Sequence, residues 1–196
     1  NTNTVTNDFC IKMNKAKDTS IICTKCYSHA MLKTFRKNCQ PAFQRNSDLL
    51  SSRVLEKDEL PLILDAFFRF DAHGELINIT NLINYVNIAK KNPHCSFGLW
   101  TKRKDLINRY FKDGKKYNCG KATRFCPPNL ILIYSNPKIS NILSKPPKHF
   151  HRTFNNVLEH EEVERQNCTG QQCKNCLLCY TPNNGVTTIV EKVKKY

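Results

Sequence analysis

The sequence predicts an α/β fold: one domain over residues 1–196, built as a small or incomplete parallel βα barrel with cysteine-bearing loops at both ends of the chain. Three observations lead there. Short, nearly apolar segments at 66–70, 96–101 and 130–134 alternate with segments of helical periodicity, and strands apolar on both faces belong to parallel sheets covered by helices. Polar residues cluster directly after those segments, where α/β folds collect their functional groups. A chain of 196 residues also supplies one proper hydrophobic core and leaves little for a second.

Element by element, helical spacing begins at 27–38 with Tyr27, Met31 and Phe35, and Pro41 opens a second helix through Leu49, Leu50 and Val54. Residues 66–70 form a short buried strand, which Asp71, Ala72, His73 and Gly74 leave as a loop. The next helix puts Leu82, Tyr85, Val86 and Ala89 on one face, with Thr80 or Asn81 as its cap and Pro93 beyond its stop. Residues 96–101 are the second strand, and 104–111 a helix that ends before Gly114. The run 130–134 is the clearest buried strand, and 185–190 reads as a last strand directly after a cysteine cluster. Strand-end groups are then Asp71, His73 and Glu75, the stretch 101–103, and Ser135 with Asn136.

The chemistry sits in the cysteines. Cys168, Cys173, Cys176 and Cys179 follow the spacing C-x4-C-x2-C-x2-C, and Cys23 and Cys26 repeat the two-residue gap near the other end. Such a gap turns neighbouring thiolates toward one point within a single loop. Three thiolates with a fourth from elsewhere hold a cubane iron-sulfur cluster, whereas two pairs suit tetrahedral zinc. Successive two-residue gaps match the compact cluster loop better than the paired spacing of zinc ribbons, so a 4Fe-4S cluster is the expected cofactor and zinc the alternative. There is one cluster or there are two. Cys168 completes the C-terminal set, or joins Cys10, Cys23 and Cys26 in a second site, or both ends of the chain share one metal. If Cys10, Cys23 and Cys26 alone hold a cluster, one iron stays open to take a ligand as a Lewis acid. Cys39, Cys95, Cys119 and Cys126 lack ligand spacing and read as small buried hydrophobes.

Eleven cysteines is an odd number, clustered at ligand spacings with no signal-peptide core before them, and this favours a reducing, cytoplasmic setting. No apolar run reaches the roughly 20 residues that span a bilayer. The formal charge of +15 attracts polyanions. It concentrates at 101–125, where nine basic residues face two acidic ones and aromatic residues intervene. Lys102, Arg103, Lys104, Arg109, Lys115 and Lys116 are the candidate nucleic-acid contacts if the protein is a zinc-stabilised nucleic-acid binder; a solvated lysine-rich face is the plainer explanation.

Among acid-base groups, His73 between Asp71 and Glu75 is the best candidate, at a strand end. The other reading is a loop histidine bonded to its neighbours. Arg69 interrupts an apolar strand, and a buried arginine needs an anion, supplied by a carboxylate or by a bound ligand. His29, just after Cys26, is expected to face solvent rather than to approach the metal. The chain has no G-x-S-x-G, Walker A, G-x-G-x-x-G or H-E-x-x-H motif, and its six glycines leave little for a phosphate-cradling loop.

Taken together, Cys10, Cys23-Thr-Lys-Cys26-Tyr27, Arg69 with His73-Gly74-Glu75, the run 97–102 (Phe-Gly-Leu-Trp-Thr-Lys), Ser135 and the C-terminal cysteines with Tyr180 resemble a family of phage and plasmid proteins, the "gene product eighty-eight" domain. The resemblance spans most of the chain through short motifs. It implies a phage-like or mobile-element protein in the host cytoplasm and carries no established reaction. The family is similar to radical-chemistry enzymes in joining cysteines to a barrel-like layout, but this chain lacks their C-x3-C-x2-C signature, so radical catalysis through S-adenosylmethionine is not expected.

Overall fold

Five strands, each flanked by the next in sequence and all parallel, form a sheet that curls into a half-barrel in a computed structural model describing residues 1–116, 125–164 and 166–193. The strands are β1 (Phe67–Phe70), β2 (Ser96–Thr101), β3 (Leu130–Ser135), β4 (Arg152–Leu158) and β5 (Thr188–Val193). The helices are α1 (Asp8–Asn14), α2 (Tyr27–Lys33), α3 (Gln40–Ser52), α4 (Ile79–Lys91), α5 (Lys104–Lys116) and the single turn α6 (Cys173–Cys176). The expected incomplete parallel βα barrel is therefore the architecture found. Among the described residues no helix is long and apolar enough to cross a membrane.

Side chains alternate across a strand, and the alternation divides the core in two. Phe70, Phe97, Leu99, Leu130, Leu132 and Tyr134 face the helices and pack with Leu82, Tyr85, Val86, Leu106 and Ile107. Trp100, Ile131 and Ile133 face the hollow of the half-barrel, where Tyr180, Phe67 and Phe154 join them. A closed barrel would fill this hollow with its remaining strands. Here the cysteine-bearing ends of the chain cover it.

Several boundaries differ from the sequence expectation for physical reasons. Helix α2 stops at Lys33, and its buried face is Ser28, His29 and Leu32, while Tyr27 and Phe35 are exposed. Helix α4 is capped by Asn78, whose side chain accepts from Asn81 N at 3.0 Å. Helix α5 runs through Gly114, a cost of about 1 kcal/mol relative to alanine that a packed apolar face readily offsets. Strand β5 lies three residues later than its expected start and end.

Strand β4 is the element that apolar patterning misses. Its residues Arg152, Thr153, Asn155 and Asn156 are polar and buried. Asn155 explains how this is tolerated. Its Oδ1 accepts from Asn136 Nδ2 and from Leu143 N, each at 3.0 Å, and its Nδ2 donates to Leu143 O at 3.2 Å. A buried amide so satisfied is stable where an unpaired one would not be. The signal that was available is the mixture of Thr153, Phe154, Val157 and Leu158, residue types that favour strands.

Candidate functional site

A cavity of about 500 Å³ opens at the C-terminal ends of the strands, and residues from all five strands or the loops leaving them contribute to its wall: Arg69 and Glu75, Trp100 and Lys102, Ser135, Asn156, Glu191. The remaining wall is cysteine-bearing: Cys10, Cys23 and Cys26 from one end of the chain, Cys168, Cys173 and Cys179 from the other. Sequence spacing linked the members of each set. Only the fold puts both sets around one hollow.

The N-terminal set is held over the strand ends by polar contacts. Asn7 caps α1 by accepting from Phe9 N and Cys10 N, and its Nδ2 donates to Glu75 O at 3.1 Å, which ties Cys10 to the loop after β1. Asn14 Nδ2 donates to Cys23 O at 2.9 Å. The segment before Cys23 is pinned to the β3–β4 connection, where Ile22 N donates to Pro137 O at 2.8 Å and Lys138 Nζ pairs with Asp18 Oδ2 at 2.6 Å. Burial first, then the charges of Glu75 and the other two thiols, pushes the Cys10 thiol far above its ordinary range; burial also raises Cys23.

Glu75 is the hub of the strand-end polar groups. Its Oε1 accepts from Thr101 Oγ1 and from Leu76 N, and its Oε2 accepts from Lys102 N at 2.9 Å. Lys102 reaches across to Ser135, donating to its Oγ at 3.0 Å. Burial opposes the charge on Lys102, yet Cys23, Glu75 and Cys26 outweigh it and hold the ammonium above its usual range. Gly74 makes the loop possible: its φ is +141°, and a Cβ there would lie 2.6 Å from Asp71 Oδ1. Asp71 itself is buried, accepts from Thr2 Oγ1 at 2.9 Å, and is raised to about 6 chiefly by burial.

The C-terminal set is held from strand β4. Arg152, almost fully buried, donates to Leu178 O at 2.6 Å, Thr181 O at 2.5 Å, Val186 O at 2.9 Å and Asn184 Oδ1 at 2.9 Å. The α6 turn carries Cys173 and Cys176 and ends on Leu177 at φ +51°, so that the chain reverses and lays Tyr180 against Phe67 and Trp100. Cys168 is anchored at β5, where its N–H donates to Val190 O at 3.0 Å. Burial leads in raising Cys179, to about 12, and the thiols of Cys168, Cys173 and Cys176 add to it.

Cys10 lies within electrostatic reach of Cys26 and Cys23, and Cys179 within reach of Cys168, Cys173 and Cys176. Among the described residues, no three His, Cys, Asp or Glu side chains are gathered tightly enough for a single metal ion. Thiolate sulfur suits zinc and iron-sulfur clusters alike, and the donor set fits either in chemistry: desolvated thiols can ionise here when a cationic centre takes their charge.

Other predicted residues fall in different places. Arg69 is not buried but exposed on the cavity side of β1, its Cζ 4.3 Å from the centre of the Trp100 ring. The side chain of His73 turns away from the cavity wall into a niche between Tyr27 and Phe43, with Nδ1 3.3 Å from Ser28 Oγ, and burial, then Arg36 and Arg69, lowers its pKa. His29, expected in solvent, is buried at the cavity with Nδ1 3.3 Å from Thr4 O. Of the basic stretch, Lys102 faces the cavity. Arg103 is engaged by Leu76 O, Ile77 O and Asp105. Lys104 and Arg109 are exposed on α5, with Lys104 Nζ 5.2 Å from the Tyr134 ring. The side chains of Lys115 and Lys116, and Cys119, lie outside the described residues. Cys95 is buried and Cys126 half-buried, as small hydrophobes should be. Spacing gave no hint of Arg152, Asn156 or Glu191, because each acts through strands β4 and β5 rather than through a motif.

No family model, curated protein or solved structure matches this chain.

Proposed function

We propose that this is an iron-sulfur protein of phage or mobile-element type with two 4Fe-4S centres in one cavity, one complete and one with an open iron. What supports the reading above all is that thiols from both ends of the chain, Cys10, Cys23 and Cys26 from one and Cys168, Cys173 and Cys179 from the other, wall the same cavity at the strand ends of the half-barrel, with Cys176 exposed beside it on the α6 turn. Cys168, Cys173, Cys176 and Cys179 would hold a fully ligated cluster, suited to moving electrons. Cys10, Cys23 and Cys26 would hold the other through three thiolates. The chemistry such a centre supplies when bound is redox or Lewis-acid activation at the iron that no cysteine occupies.

The chain's own residues then have defined parts. Lys102 places a positive charge against the N-terminal thiols and offsets the anionic cluster. Glu75 holds the Lys102 backbone and orients that side chain toward Ser135. Trp100 and Phe154, with Tyr180 packed behind Trp100, keep one wall of the cavity apolar. The mobile-element character rests on the resemblance of the quoted motifs.

The test is the visible spectrum of anaerobically purified protein, with iron, zinc and acid-labile sulfide measured on the same sample. A brown protein with about eight iron and eight sulfide per chain is expected for two such clusters. A colourless protein with stoichiometric zinc would replace this reading with the zinc-stabilised nucleic-acid binder. Cys23→Ser and Cys173→Ser should each lose about half of the iron; loss of all iron from either variant would mean that the two ends share one centre.

A further inference from the structure

We infer that the cavity binds a small organic carboxylate, anchored by the guanidinium of Arg69 where it lies over Trp100. The inference names the substrate class of the site proposed above and rests on that reading for its chemistry, although the binding itself can be measured without it.

The argument begins with strand β1. Phe67, Arg69 and the hollow of the half-barrel share one side of the sheet, so an apolar residue would be the ordinary choice at position 69. An arginine stands there instead. Its guanidinium carbon lies over the Trp100 ring, 4.3 Å from the ring centre, a cation–π contact, and among the described residues it has no hydrogen bond or ion pair. Such a contact with a tryptophan holds the guanidinium at the ring while leaving its N–H edges available. Trp100 is itself fixed, because it is buried against Tyr180 and Phe154. The fork therefore has a rigid mount, and the guanidinium edge is the group that matches a carboxylate through two parallel hydrogen bonds.

The surroundings favour one negative charge over two. Glu191 lies on the same wall, near enough for Arg69 to act on its charge, and Glu75 and Asp71 line the cavity farther along. The thiolates of two clusters would add to that negative field. Lys102 is the other cation on the strand-end wall, and Ser135 and the thiols already engage it. A monocarboxylate thus finds one cationic fork, that of Arg69; Lys25, on the cysteine side of the cavity, offers a point charge without that fork. A phosphate dianion finds no glycine-rich cradle of backbone N–H groups on the strand-end wall.

Trp100 is the sole tryptophan of the chain, so its emission reports on this position directly. The full-length protein, as purified with its metal content measured, is titrated with sodium benzoate and in parallel with inorganic phosphate, at constant ionic strength. The expected result is a saturable change in Trp100 emission with benzoate. Arg69→Met should weaken it at least tenfold, and Arg69→Lys, which keeps the charge and loses the fork, should fall between. Unchanged far-ultraviolet circular dichroism would show both variants folded. Saturation by phosphate but not benzoate would overturn the carboxylate assignment. No saturation with either anion, or equal affinity in Arg69→Met, would overturn the site. Arg69-dependent binding in a sample without iron would fail the cluster reading alone, and iron-loaded protein that binds neither anion would fail this inference alone.

Discussion

Arg152 donates its Nη1 to the carbonyl oxygen of Leu178 at 2.6 Å, which places a buried strand β4 side chain directly beneath the backbone that precedes Cys179. With its bonds to Thr181, Val186 and Asn184, this one residue organises the loop that carries three of the four C-terminal thiols.

Replacing it should therefore act on both stability and metal content. Arg152→Met is expected to cost about 2–4 kcal/mol, because several buried carbonyls lose a charged donor at once. In urea denaturation the midpoint should fall accordingly. Iron should drop by about half, with the N-terminal centre retained. Full iron retention would show that the C-terminal loop keeps its shape without Arg152.

Gly98 is required by the ring that crosses it. A Cβ at this position would meet Trp100 Cζ3 at 2.6 Å and Tyr180 Cε1 at 3.2 Å. Gly98→Ala should displace the indole, destabilise the fold by about 1–3 kcal/mol, and shift the emission of Trp100. An unaltered spectrum and melting curve would mean that the hollow has more slack than these contacts allow.

Asp71 confers a pH dependence with a definite sign. Burial raises its carboxyl from 3.8 to about 6, so the folded state favours the protonated form. Its contribution to stability is intact below pH 3.8 and declines as pH rises to 6, reaching a penalty of about 2–3 kcal/mol above that. Asp71→Asn keeps an acceptor for the Thr2 hydroxyl and removes the charge. The variant should lose this decline between pH 4 and 6 and be the more stable protein at pH 7. Denaturant midpoints measured across that range provide the check; parallel curves for the two proteins would exclude the effect.

Lys102 places its charge beside Cys23, Cys26 and Cys10. Under the proposed function, Lys102→Met should lower the reduction potential of the N-terminal centre by roughly 50–100 mV, the scale of one unit charge nearby at an effective dielectric of about 20. The C-terminal centre should be unmoved. A spectroelectrochemical titration that resolves the two centres tests this, and equal shifts in both would place Lys102 between them.

The parts of this molecule that local sequence determined are those whose physics is local. Strands β1, β2 and β3 are apolar runs that both faces of a covered sheet require, and the helical spacing of Leu82, Tyr85, Val86 and Ala89 needs no distant partner to be recognised. The grouping of cysteines into two sets is legible for the same reason, since a two-residue gap constrains its own loop. Tertiary structure decided the rest. Strand β4 is polar because Asn155 and Arg152 are satisfied by groups at 143, 178 and 181, far from their own segment, and no window of sequence contains those partners. Arg69 reads as a buried ion in sequence and is a cation over an indole ring in the fold, because only the pairing of β1 with β2 brings Trp100 beside it. His73 lies two residues from Asp71 and from Glu75, yet positive backbone φ at Asp71 and Gly74 turns the loop so that both carboxyls line the cavity and the imidazole does not. The same long-range logic brings the two ends of the chain together: an open half-barrel leaves an apolar hollow that water cannot be allowed to fill, and the cysteine loops are the segments that cover it.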